Sequence, residues 1–200
     1  HTLFPYTDAL PIFSDIEAVI SSKVGNYLVF FPSYKYMNEV YDRFIENNQE
    51  INVIRQESYM SEEDREGFLQ NFCENPKSTL VAFAVMGGLF SEGIDLTHDR
   101  LIGSIIVGVG LPQVSLERNI ISDYFKKKNG KGFEYAYIYP GMNKVMQSAG
   151  RVIRTEEDKG VVLLIDERFR YSSYFKLLPR EWNDMINVSG NDSIDRKSVV

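Results

Sequence analysis

Tyr27-Leu28-Val29-Phe30-Phe31-Pro32-Ser33-Tyr34 reads as a strand, a stop and a helix start packed into eight residues. Five apolar residues without polar alternation predict a strand covered on both faces, the pattern of a parallel sheet. Pro32 ends it, Ser33 is a capping residue, and Tyr34, Met37, Val40, Tyr41, Phe44 and Ile45 then recur at helical spacing to about Asn47. The chain therefore switches from strand to helix within one tight turn.

The same alternation repeats on either side. Upstream, Ser14-Asp15-Ile16-Glu17 has capping-box spacing and opens a short helix that ends near Gly25. Residues 1–13 are apolar but interrupted by Pro5 and Pro11, which predicts an extended lead-in. Downstream, strands are expected at Ile51–Ile54, Thr79–Val85, Leu101–Val109, Phe133–Tyr139 and Val161–Ile165. Helices are expected from Ser61, ending by Asn75-Pro76, from about Ser115 to Lys127, and from about Asn143 to Arg154. Phe169–Leu178 and a polar stretch complete the chain. Strands separated by helices give a three-layer α/β domain over 14–186 with a mostly parallel sheet, a lead-in at 1–13 and a tail at 187–200. Right-handed crossovers place the strand-end loops on one edge, where open α/β sheets bind ligands.

Composition narrows the chemistry. Two hundred residues, 44% apolar, suffice for one sizeable core. A net charge of −6 argues against an overall electrostatic grip on nucleic acid, so any such contact must be local. Lys126-Lys127-Lys128-Asn129-Gly130-Lys131 is the one concentrated basic patch, read either as a solvated loop or as a contact for a phosphate backbone. Cys73 is the single cysteine, which excludes an internal disulfide and a cysteine-built zinc or iron-sulfur centre within the chain. His98 stands without a ligand cluster, so no metal site is expected. No apolar run reaches the roughly 20 residues of a membrane span, and the N-terminus lacks signal-peptide character, so a soluble, cytoplasmic chain is expected. A first residue of His rather than Met suggests an excised piece or a processed chain.

The candidate site centres on Gln147-Ser148-Ala149-Gly150-Arg151-Val152-Ile153-Arg154. In a helix, Gln147, Arg151 and Arg154 share one face and aim two permanently charged guanidinium forks at a common partner, with Val152 and Ile153 anchoring the other side. Phosphate is the commonest match for such forks. Gly150 is a poor helix residue and suggests a close approach by a backbone or ligand. A second candidate is the glycine-rich stretch Met86-Gly87-Gly88-Leu89-Phe90-Ser91-Glu92-Gly93-Ile94-Asp95, at the end of an apolar strand.

Taken together, three stretches resemble the second RecA-like domain of superfamily 2 helicases. Leu28–Tyr34 looks like motif IV, Phe90–Leu96 like motif V and Gln147–Arg154 like motif VI, in that order. The Ser-Glu-Gly-Ile-Asp form of motif V and the Gln-x-x-Gly-Arg-x-Ile-Arg form of motif VI are those of the XPD/DinG family. That resemblance, over roughly residues 25–180, implies an ATP-dependent DNA helicase whose nucleotide sits between two RecA-like domains. ATP and Mg would be held mainly by an upstream RecA-like domain carrying the Walker motifs. No Gly-x-x-x-x-Gly-Lys-Ser/Thr occurs in this sequence, so the piece alone is expected to be inactive.

By the same resemblance, Arg151 and Arg154 are arginine fingers and Gln147 lies near the γ-phosphate. Asp95 reaches the ribose or a motif VI arginine, Gly93 and Gly150 permit the backbone course, and Glu92 either couples to an arginine or serves its own turn. Ser33, Tyr34, Gly87 and Gly88 fall on the single-stranded DNA track, although Ser33 also reads as an ordinary N-cap and the glycines as a tight turn. XPD-type relatives often carry a lysine before the small residues of motif V, and here that region reads Gly88-Leu89-Phe90. Tyr171, Tyr174 and Phe175 suit either base stacking or packing. A monomer is expected. A degenerate module that binds single-stranded DNA or a protein without hydrolysis is the alternative, and a small-molecule α/β enzyme is weakest because no nucleophile-base pair is evident.

Overall fold

The computed structural model describes residues 9–91, 96, 100–152, 159–182 and 185–188. Five strands form one sheet in the order β2-β3-β1-β4-β5. They are β1 (Asn26–Phe31), β2 (Asn52–Arg55), β3 (Leu80–Val85), β4 (Gly103–Val107) and β5 (Val161–Ile165). Every pairing is parallel, with Phe31 opposite Val85, Phe30 opposite Ile106 and Ile165 opposite Val107. All the loops that follow strands therefore leave from one edge.

Parallel strands must be covered on both faces, and the alternation of side chains along each strand builds two separate cores. Tyr27, Val29 and Phe31 of β1, with Val81, Phe83 and Val85 of β3, face α1 (Ala9–Ile20) and α2 (Tyr34–Asn47). Leu28, Phe30, Ala82 and Ala84 point the other way, toward α3 (Glu62–Gln70) and α5 (Tyr139–Ala149). On the first face an aromatic group is centred on Phe83, whose ring lies 5.2 Å from Phe31, 5.5 Å from Phe44 and 5.7 Å from Tyr41. Asn26 is fully buried at the opposite edge and donates from Nδ2 to the carbonyls of Cys73 (2.8 Å) and Arg100 (3.0 Å), tying two connections to β1.

Three segments differ from the sequence expectation. α1 starts at Ala9, not Ser14, and Ile12 and Phe13 are buried within it. Pro11 is tolerated because it falls in the first turn, where a backbone N–H has no helical partner. Phe133–Tyr139 is no strand: Glu134–Ile138 form a π-helical turn that runs into α5, with Pro140 in that helix's first turn. The aromatic alternation misleads because positions two apart are also, taken pairwise, four apart. Phe133 meets Tyr137 (5.1 Å) and Tyr135 meets Tyr139 (4.9 Å) as helical i,i+4 pairs. The third difference is the end of α5, at Ala149.

α4 (Leu116–Asn129) is capped by Ser115, whose side chain accepts from the Arg118 N–H, and contains no buried residue. It packs on the π-helical turn instead of the sheet. A Cβ on Gly132 would collide with the Ser122 carbonyl oxygen, so glycine is what allows the two helical segments to cross closely. α6 (Ser172–Phe175), between short 3₁₀ turns at Glu167–Arg170 and Arg180–Trp182, closes the described chain. Among the described residues no helix is long and apolar enough to cross a membrane.

Because Phe83 joins three other rings in a filled core, Phe83→Ala should cost about 3–5 kcal/mol. Urea unfolding followed by circular dichroism measures this, and a loss below ~1 kcal/mol would contradict the packing described.

Candidate functional site

The strand-end edge is built first from β1 and β3. Ser33, in extended conformation (φ −158°, ψ 155°), caps α2 by accepting from the Tyr36 N–H at 3.3 Å. Its role as a cap therefore holds. Tyr34 starts the helix, and its hydroxyl accepts from Gln56 Nε2 at 2.7 Å. Burial pushes the Tyr34 phenol pKa above its ordinary value.

Gln56 is the residue sequence reasoning missed. It follows β2 directly, is 1% exposed, and its Oε1 accepts from the Val85 N–H at 3.0 Å. One amide thus ties together the ends of β1, β2 and β3, and a Cβ on Gly88 would stand 3.2 Å from its Nε2. The partners of Gln56 lie 22 and 29 residues away, so no local pattern pointed to it.

The turn after β3 is closed by Ser91. Its buried hydroxyl accepts from the Gly87 N–H (2.8 Å) and donates to the Val85 carbonyl (3.2 Å). Gly87 has φ 70°, in the left-handed region, so the turn itself calls for glycine there. Phe90 is fully buried and stacks on Phe68 of α3 with ring centres 4.2 Å apart. Leu96 is also buried. These anchors bracket Glu92, Gly93 and Asp95, which lie outside the described residues.

α5 runs along the sheet from this edge to the opposite one. At its start, Cβ atoms built on Gly141 and Gly87 would lie 3.3 Å from Val109 Cγ1 and 3.0 Å from Lys144 Cε respectively. The Lys144 side chain therefore lies against the Gly87 turn and brings a cation beside it from α5. At the other end, the buried Ser104 hydroxyl donates to the Ser148 carbonyl at 3.2 Å. The helix stops at Ala149, so the expected continuous helix through Arg154 is not formed. Gly150 is its C-cap, donating to the Met146 carbonyl, and the next N–H groups reach back only three residues, from Arg151 to Ser148 and from Val152 to Ala149. The close neighbour of a Cβ on Gly150 would be the Met146 carbonyl oxygen of its own helix at 3.2 Å, and among the described residues no other segment comes within 4 Å of it.

Gln147 and Arg151 are nonetheless together. Gln147 is exposed, and Arg151 Nε donates to its carbonyl at 3.1 Å, so the guanidinium folds over the helix end. Arg154 lies outside the described residues. The structure thus brings Tyr34 and Gly88 together through Gln56 at the strand-end edge, with Ser33 beside Tyr34 and Gly87 against Lys144, and places Gln147, Gly150 and Arg151 at the far end of α5. Six residues of helix, about 9 Å, separate Lys144 from Gly150.

Beyond β5, Asp166 makes a bidentate pair with Arg168 (2.8 Å to Nε, 2.6 Å to Nη2) and also accepts the Arg168 N–H. Their side chains are only 3% and 17% exposed, and the hydrogen bond to Asp166 holds the Arg168 pKa above its ordinary value. A Cβ on Gly108 would sit 3.7 Å from Asp166 Oδ2, so the pair braces the turn after β4. Tyr174 is buried in the core, whereas Tyr171 and Phe175 are exposed. Among the described residues no group of three or more His, Cys, Asp and Glu is placed to hold a metal ion.

The helicase C-terminal domain family matches residues 16–185. The ATP-dependent DNA helicase DinG of Photobacterium profundum is 34% identical over 157 residues, which are 76% of this chain and 22% of that protein. The ATP-dependent DNA helicase CHL1 of Saccharomyces cerevisiae is 27% identical over 191 residues, 88% of this chain and again 22% of the relative. The chain thus spans about a fifth of the length of these relatives. The fold is that of a solved apo structure of XPD, with a TM-score of 0.69 at 23% identity, covering 88% of this chain and 35% of that one. With the all-parallel sheet in place and the match covering residues 16–185, the chain belongs to the helicase C-terminal domain family.

Proposed function

We propose that this chain is the second motor domain of an ATP-dependent DNA helicase, contributing arginine fingers at one end of α5 and part of a single-stranded DNA track at the other. The observation that carries the reading is the joining of Gln147 and Arg151 at a helix end fixed to the sheet by Ser104. A guanidinium at that position is rigidly based yet partly exposed, which suits a charge offered to a phosphate held by a second body.

The residues present fit such a shared nucleotide. They supply cationic and amide donors, and the sequence has no Walker A loop to cradle phosphates by itself. ATP with its Mg supplies the phosphoryl group to be transferred. Arg151 and Arg154 would stabilise negative charge that grows on the phosphate oxygens, and Gln147 would orient that end of the site. Asp95, Glu92 and Gly93 belong to the same reading as the coupling loop. At the other end, Ser33 and the Gly87–Gly88 turn offer a hydroxyl and closely approachable backbone. Lys144, beside that turn, would supply a cation near the stretch whose own sequence carries none.

Alone, the 200 residues should show no ATP turnover with or without DNA, measured by phosphate release; DNA-stimulated turnover by the isolated chain would overturn the shared-site reading. In the full-length polypeptide, Arg151→Ala and Arg154→Ala should each lower turnover by about 10³ to 10⁵ while nucleotide affinity changes little. Turnover within about threefold of the unaltered protein would remove the finger assignment, since a lost finger costs several kcal/mol. Lys144→Ala should weaken single-stranded DNA binding without touching nucleotide affinity, by fluorescence anisotropy and nucleotide titration side by side.

A further inference from the structure

The end of α4 assembles a surface that neither core uses. Lys126, Lys127 and Lys128 occupy the last turn of the helix and Lys131 follows the Gly130 cap, four ammonium groups within six residues of a chain whose net charge is −6. None of the four has a carboxylate of the described residues within ion-pair distance. Asp123 and Glu134 are the acids flanking the patch in sequence, so lysines outnumber carboxylates there by two to one.

Flat rings stand among these charges. Tyr124 is 55% exposed and Phe133 53%. Lys128 Nζ lies 5.4 Å from the Tyr124 ring centre and 5.8 Å from that of Phe125. Phe125 in turn stacks on Tyr135, with centres 3.8 Å apart and planes 4° from parallel. The helix macrodipole accounts for lysines in a last turn. It accounts neither for Lys131 beyond the cap nor for two aromatic rings left in water beside them.

We infer that this tip is a second contact for single-stranded DNA, separate from the strand-end track, with the lysines on phosphates and Tyr124 and Phe133 stacking on bases. The inference rests on the DNA reading above and extends it to an element outside the three motifs. A single strand fits better than a duplex, whose bases are already stacked and offer no face to a ring. It also fits better than an acidic protein segment, which would meet the charges and leave the rings unmatched.

The test uses the full-length polypeptide, a labelled short oligothymidine that fills only the strand-end track, and a long one that extends past it. Reversing the three helical lysines together (K126E, K127E, K128E) should weaken the long strand by at least about tenfold and reduce its log-log salt slope by ~2, leaving the short strand within about twofold. Tyr124→Ala with Phe133→Ala, which removes rings but no charge, should weaken the long strand while keeping the salt slope. Equal loss on both lengths would overturn the claim of a separate contact. Unchanged binding of both would overturn the tip itself and leave the motor reading intact. Unchanged binding together with Tyr124 shielded from hydroxyl radicals in DNA-free protein would assign the tip to a protein neighbour and also overturn the inference. Failure of the unaltered protein to bind either strand would sink the DNA reading and this one with it.

Discussion

β1 is hydrogen-bonded on both sides by parallel neighbours and buried along its whole length, and the remaining architecture follows from that arrangement. A parallel central strand cannot leave either face to water, so alternate residues require two helical layers, and each layer acquires its own core. The same arrangement brings the end of every strand to one edge. Asn26 secures the opposite edge by satisfying two loop carbonyls with one buried amide. A polar group so placed stabilises through partners that would otherwise be left unpaired.

The loops that carry the site are held by the same principle. Gln56 and Asp166 lie outside the three motifs and Ser91 lies within one, and each fixes a turn at the strand-end edge by hydrogen bonds to backbone or to a buried partner. A domain that offers contact groups to bodies outside itself has to keep their bases still. Here the stillness comes from buried polar links under the turns, and the reach comes from residues at the ends of α2 and α5.

Much of this was legible in the residues. The strand Val161–Ile165 is found where its apolar run places it, and Ser33, Ser61 and Ser115 all cap the helices they precede. What was not legible has two causes: patterns that satisfy two periods at once, and contacts between residues far apart in the chain. Phe133, Tyr135, Tyr137 and Tyr139 alternate like a strand and pair like a helix, and local sequence does not choose between them. The end of α5 depends on Gly150 acting as a cap, where a continuous amphipathic face was the simpler extrapolation. Gln56 touches Tyr34 and Val85, 22 and 29 residues away, and no local pattern encodes such a link. Arg154, Asp95, Glu92 and Gly93 were singled out by their motifs and lie outside the described residues.

α4 gives the domain an element on which the core makes no demand. A residue in β1 is answerable to two packed layers, so nearly any change there is felt as lost stability. A residue on the outer face of α4 answers only to its own helix and to whatever meets it from outside. Its sequence can therefore change with the task while the sheet stays as it is, and related proteins sharing this scaffold can diverge in what they hold without first solving the folding problem again.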